Sequence, residues 1–277
     1  MFHTEQVNGR WTLSLDGLPM LVHTAKQPFI TAVRHDRTYK TARGSMKGPA
    51  LRGDRLPLPE IRMTSPDTIV FSASGHRVTA TLTEHPGGVL LTLSGEAGWA
   101  YELRLPAIEG EAVFGGGEQY REMNLRGESV VSFVADRTNV STILQKAAPP
   151  RLLYRDKMRR SIGSCAPMPV FVTDRLRLIL FETTADGFAC FGDDVYLFSF
   201  DRCPNALLHN EWPMLWAKLN REAIEEYGKD DVFFFMRSGH LGVQAYAPML
   251  WNGDLHTDYI ELFRETGAKY NLLGRNK

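Results

Sequence analysis

An arginine, a tryptophan and an aspartate near the end of the chain have the types and spacing to work on a hydroxyl-rich ligand. Arg237 directly follows the apolar run Val232-Phe233-Phe234-Phe235-Met236, and Trp251-Asn252-Gly253-Asp254 comes one loop later. A guanidinium offers several N–H donors to hydroxyl oxygens, and a carboxyl group can give and take a proton. A tryptophan can stack on a sugar face. In a β/α barrel such groups gather where strands end, because the loops after the strand C-termini build the active site. Taken alone, the same residues fit more simply as a salt bridge from Arg237 to a nearby carboxylate with Trp251 as part of a core.

A second candidate is Phe114-Gly115-Gly116-Gly117-Glu118-Gln119-Tyr120. A phosphate cradle needs a strand before the glycines, a helix N-terminus after them and usually a Lys-Ser/Thr pair. Here Glu118 follows the glycines and no helical pattern begins. The residues are therefore read as a bulged strand where two backbones approach closely. The basic, glycine-rich stretch Arg43 to Arg55 could hold an anion, but a solvated surface loop is the simpler reading.

The elements that position these residues fall into two textures. Up to about residue 200 the chain reads as short antiparallel strands separated by Asp-Gly and Pro-Gly-Gly turn signals. The alternating runs include Trp11 to Leu15, Phe29 to Val33, Thr68 to Phe71, Val78 to Leu82, Val89 to Leu93 and Tyr101 to Leu105. Later come Val130 to Val134, Pro169 to Val172, Leu176 to Phe181 and Val195 to Phe200. Many short strands with tight turns argue for a sandwich. After Cys203 the pattern changes. Asn210 suits an N-cap and Pro213 a first helical turn. Trp212, Leu215, Trp216, Leu219 and Ala223 then make one apolar helical stripe, and Gly228 closes the helix. The Val232 to Met236 run reads as a strand buried on both faces.

The 277 residues carry 32 Lys plus Arg against 32 Asp plus Glu, so the net charge is zero. That balance gives no electrostatic case for nucleic acid or an anionic membrane. With 43% hydrophobic residues the chain can build a substantial core, yet no apolar run approaches the roughly 20 residues of a membrane helix. No secretory signal is visible at the start, and Asn139-Val140-Ser141 is then an idle glycosylation match. Cys165, Cys190 and Cys203 are an odd number at spacings of no known framework, which fits free thiols in a cytoplasmic protein.

Two stretches resemble glycoside hydrolase family 31, the family of α-glucosidases, α-xylosidases and sulfoquinovosidases. Phe114 to Tyr120, continuing through Asn124-Leu125-Arg126-Gly127, resembles a turn in that family's N-terminal β-sandwich. More specific is His209-Asn210-Glu211-Trp212-Pro213 through Asn220-Arg221-Glu222-Ala223 and Phe234-Phe235-Met236-Arg237-Ser238-Gly239. It runs on through Tyr246 to Trp251-Asn252-Gly253-Asp254, similar in order and spacing to the bacterial sulfoquinovosidase branch. The resemblance implies a retaining α-glycosidase on a (β/α)8 barrel. Asp254 would be its general acid/base, Arg237 would bind substrate hydroxyls, and Trp251 would shape the sugar pocket.

The chain departs from the family where the nucleophile should stand. Upstream of His209 the residues Phe198 to Leu208 hold no Trp-x-x-Asp-Phe-Gly-Glu-like segment, and Asp201 is the only carboxylate near the junction. A barrel takes about 250 residues, whereas 75 follow residue 202. The tail Lys269 to Arg275 is similar to a segment found after the family's barrel, which implies a second skip. The barrel loops on which that branch's sulfonate recognition depends are missing as well. The expected fold is thus mainly β: a mutarotase-like antiparallel sandwich over residues 1–202, then a barrel fragment over 203–277. The expected partner is a carbohydrate, with no cofactor, no metal, no nucleic acid and no membrane, and with self-association open. Two readings stand: a family member with internal pieces missing, or a catalytically inactive carbohydrate-binding remnant.

Overall fold

The computed structural model describes residues 2–34, 40–42, 45–47, 54–117, 123–132, 134, 166–185, 187–200, 204–228 and 233–250. Their fold is mainly β. The first strands are β1 (Phe2–Val7), β2 (Arg10–Leu15), β3 (Leu18–His23), β4 (Ile30–Arg34), β5 (Lys40–Ala42), β6 (Ser45–Lys47) and β7 (Arg55–Pro57). Then come β8 (Glu60–Ser65), β9 (Thr68–Ala73), β10 (His76–His85), β11 (Gly88–Gly95), β12 (Trp99–Pro106), β13 (Val113–Gly117) and β14 (Ser129–Ser132). They are followed by β15 (Pro167–Thr173), β16 (Leu178–Leu180), β17 (Gly187–Phe191) and β18 (Val195–Phe200). A long helix, α1 (Pro204–Tyr227), precedes β19 (Phe235–Met236), a 3-10 turn (Val243–Tyr246) and β20 (Met249–Leu250).

The chain divides into two compact units that interleave in sequence. One comprises Met1–Asp36, Leu51–Glu109 and Cys190–Arg202; the other comprises Arg37–Ala50, Gly110–Ala189 and Cys203–Lys277. The last passage from one to the other falls between Arg202 and Cys203. The second unit takes in Gly110–Ala189 together with the C-terminal residues.

In the first unit, alternation sets which side chains go inside. Trp11 and Leu13 of β2, Ile69 and Phe71 of β9, and Val78 and Ala80 of β10 are all buried, every second residue. Hairpin turns fix the register. Asn8-Gly9 and Asp16-Gly17 both have positive φ at each central residue, as two-residue loops between twisted antiparallel strands require. Three ladders result, β1-β2-β3, β11-β10-β9-β8 and β18-β12-β4-β7, all antiparallel. They meet in an aromatic cluster where Phe71 contacts Trp11 edge-on at 6.1 Å and Phe29 at 5.8 Å. Glu102, buried in β12, is neutralised by Arg55 of β7.

In the second unit, β13-β15-β16 form an antiparallel sheet, and β19 and β20 pair in parallel. The glycines of β13 are the bulged strand expected. Its register shifts between Gly115 and Gly117. A Cβ on Gly115 would stand 2.3 Å from the Val170 carbonyl oxygen, and one on Gly117 would stand 2.2 Å from that of Ala166. Asn124-Leu125-Arg126-Gly127 braces the start of this strand. The Asn124 Oδ1 accepts from the Val113 and Arg126 N–H groups, and the Arg126 guanidinium donates to the Glu111 carbonyl. The Glu111 carboxylate is buried against Arg177 at 3.2 Å.

Four expectations for the C-terminal part are corrected. The helix begins six residues before Asn210, so Asn210 is no N-cap and Pro213 lies in the helix interior. The buried side of α1 carries Asn210, Pro213 and Ala217, with Met214 partly covered. The stripe of Trp212, Leu215, Trp216 and Leu219 instead faces solvent, Trp212 at 61% exposure and Trp216 stacked on it. The Phe run is not buried on both faces. Phe233 and Phe235 are 66% and 65% exposed, whereas Met236 packs with Ala217, Val243 and Met168.

Candidate active site

The parallel pair β19-β20 is the part of the described structure built like a barrel unit. Its register places Phe235 beside Met249 and Met236 beside Leu250, so both strands end at the same edge. One face packs on α1 through the cluster of Met168, Ala217, Met236 and Val243, with Met214, Phe234, Tyr246 and Leu250 around it. Arg221 of α1 clamps the crossover: its Nε and Nη2 donate to the Tyr246 carbonyl at 3.2 and 3.0 Å. Its guanidinium also sits 5.5 Å from the centre of the Phe234 ring.

Arg237 is the first residue after β19 and its side chain is exposed. Trp251, the first residue after β20, and Asp254 lie outside the described residues, as do Glu118, Asp201, the Lys269 to Arg275 tail and most of Arg43 to Arg55. Of the three residues singled out for chemistry, the structure therefore places Arg237 alone.

The loop leaving Arg237 is held from beneath by polar side chains that the sequence did not single out for chemistry. His240 is completely buried, with its Nε2 3.4 Å from the Ser132 hydroxyl. The Ser132 carbonyl accepts from the Asn210 Nδ2 at 3.0 Å, while the Asn210 Oδ1 accepts from the Val134 N–H at 3.1 Å. Both ends of the Asn210 amide are thus spent on backbone groups, one at the end of β14 and one at Val134 just beyond it, which is why it is buried within the helix instead of capping it. The signal was present as a histidine two residues beyond Ser238 and an asparagine inside an apolar helical run. Nothing in the spacing linked them to Ser132. Among the described residues no group of three His, Cys, Asp or Glu side chains is placed to hold a metal ion, and no helix is long and apolar enough to cross a membrane.

Comparison with known proteins bears on this edge. The family model for the glycosyl hydrolases family 31 TIM-barrel domain matches residues 81–274. A sulfoquinovosidase of Escherichia coli (strain K12) is 52% identical over 54 residues, which make up 19% of this chain and 8% of that protein. One from Agrobacterium fabrum (strain C58) is 48% identical over 54 residues, with the same shares. A family 31 sulfoquinovosidase from E. rectale, solved with an aza-sugar inhibitor, superposes with a TM-score of 0.54 at 15% identity. That match covers 85% of this chain and 37% of that one, and at this identity it speaks for the fold alone. The matched region is a small part of the curated relatives and little more than a third of the solved chain. Within residues 81–200 strands β10 to β13, β15, β16 and β18 pair antiparallel with their neighbours, so the barrel character rests on β19-β20.

Proposed function

The chain belongs to glycoside hydrolase family 31, and from that membership we propose that it carries the acid/base half of an α-glycosidase site of the sulfoquinovosidase kind. The observation that supports this reading is the parallel β19-β20 pair, with Arg237 directly after one strand and Trp251 to Asp254 directly after the other. On this reading Asp254 protonates the glycosidic oxygen as the bond breaks and later takes a proton from water. Arg237 donates hydrogen bonds to sugar hydroxyls, and Trp251 shapes the pocket. By sequence, residues 1–202 are read as the family's sandwich and 203–277 as the partial barrel of a cytoplasmic protein, although Gly110–Ala189 shares a compact unit with the C-terminal residues.

A retaining site needs a second carboxylate as nucleophile, about 5–5.5 Å from the first. Nothing between Phe198 and Leu208 has the family's nucleophile segment. The exposed faces of α1 and of β19 favour the same conclusion, because parallel strands are normally covered on both sides. The reaction of the family, hydrolysis of α-glycosides, is therefore not completed by these 277 residues. The second reading, a remnant that binds carbohydrate without turnover, shares the Arg237 contact.

Titration calorimetry with nitrophenyl α-glucoside and nitrophenyl α-sulfoquinovoside tests the binding half. Hydrogen bonds from a charged donor contribute about 1.5–3 kcal/mol, so Arg237→Ala should weaken binding by about 10-fold or more. Equal affinity in the two proteins would remove Arg237 from the site.

A further inference from the structure

We infer that Ser132, with His240 and Asn210 on either side of it, is a positioning residue for Arg237. The inference rests on the reading of Arg237 as a sugar-binding group and adds the means by which an exposed arginine is held. The connection is physical at each step. Asn210, fully buried in α1, grips the backbone at Ser132, the last residue of β14, and at Val134 just beyond it through both ends of its amide. The Ser132 hydroxyl then meets His240 Nε2 at 3.4 Å, donating to the ring or accepting from it according to the tautomer. His240 is three residues beyond Arg237 and fully buried.

The loop between them has little room to shift. A Cβ on Gly239 would come within 3.1 Å of the Ala166 Cβ and 3.3 Å of Leu250. Beyond His240 the chain is tied by the Val243 N–H to the His240 carbonyl, and by Gln244, whose side chain accepts from the Gly242 N–H and donates to the Met168 sulfur. One side-chain anchor of this loop is thus a hydroxyl on a different element. A binding group on an exposed stem profits when its backbone is fixed, because less freedom is lost when the ligand arrives.

The test uses Ser132→Ala, which removes the hydroxyl with little change of shape, and Ser132→Thr, which keeps it. Hydrogen exchange of amides 238–243 in the free, full-length chain should rise about 10-fold in Ser132→Ala and return toward the parent in Ser132→Thr. Unchanged exchange in Ser132→Ala would overturn the proposal whatever the sugar affinity. Affinity for nitrophenyl α-glucoside should fall about 3–10-fold in Ser132→Ala, and the same substitution should cost nothing further in an Arg237→Ala background. An equal loss in both backgrounds would mean that Ser132 supports the fold without acting through Arg237, and would also overturn it. If Arg237→Ala leaves affinity intact, the sugar-binding reading fails by itself, and a positioning role toward that ligand fails with it even where loop exchange responds.

Discussion

His23 makes two hydrogen bonds that only a neutral imidazole can make together. Its Nδ1 accepts from the Phe29 N–H and its Nε2–H donates to the Pro59 carbonyl, each at 3.2 Å. The ring is fully buried, 5.1 Å from that of Phe71. Burial pushes its pKa below the ordinary histidine value, and the bond to Pro59 offsets part of that. The unfolded chain therefore binds a proton near pH 6.5 that the folded chain still refuses. Stability from this group is complete above about pH 6.5 and falls as pH drops toward the lowered folded value. Urea midpoints at pH 7.5, 6.5 and 5.5 should show a decline in the parent that is shallower in His23→Gln. That variant should also lose about 1–3 kcal/mol at pH 7.5 through imperfect pairing of the two backbone groups. Parallel pH profiles would remove His23 as the source. Arg237 and Asn210 mark the opposite limits of legibility at this scale. The first is singled out because it follows an apolar run, whereas the second reads as a cap because its partners, Ser132 and Val134, lie 78 and 76 residues away.

Among the elements, β13 shows why a glycine run can be structural and nothing more. Gly115 has φ +116 and a backbone neighbour where a side chain would go. Gly115→Ala should cost about 1–3 kcal/mol or more from strain alone. Gly88→Ala, with open space around it and no left-handed φ, should be nearly neutral. Equal denaturation midpoints for the two variants would contradict the close-approach account. The inner strands of the first unit were legible because burial alternates along them. Strands β1 and β8 were not read: Glu5, Gln6, Glu60 and Arg62 dilute the alternation, and these strands are fixed by pairing with β2 and β9. The helix was found, but its start and its buried face were wrong. Propensity and periodicity favoured the tryptophan stripe. Tertiary packing chose the face with Asn210, Pro213 and Ala217, because that side meets Met168, Met236 and Val243.

At the scale of the whole molecule, the described residues are mostly antiparallel strand. The antiparallel strands are present in number, while a barrel of about 250 residues is represented among the described residues by one helix and one parallel pair. Trp212, Trp216, Phe233, Phe235 and Met249 are exposed. General acid help alone is worth about 10² to 10⁴-fold, below the 10⁶-fold or more typical of enzymes. An inverting route would need another carboxylate about 6.5–9.5 Å from Asp254 across the ring, and Asp258, four residues along, is badly placed in sequence for that. The direct test is nitrophenol release from α-glucoside and α-sulfoquinovoside by the purified 277-residue chain, beside Asp254→Asn. The account predicts that the two proteins release nitrophenol at the same near-background rate. Release by the parent well above the Asp254→Asn control would contradict it and send the search for a nucleophile to Asp201 and Asp258.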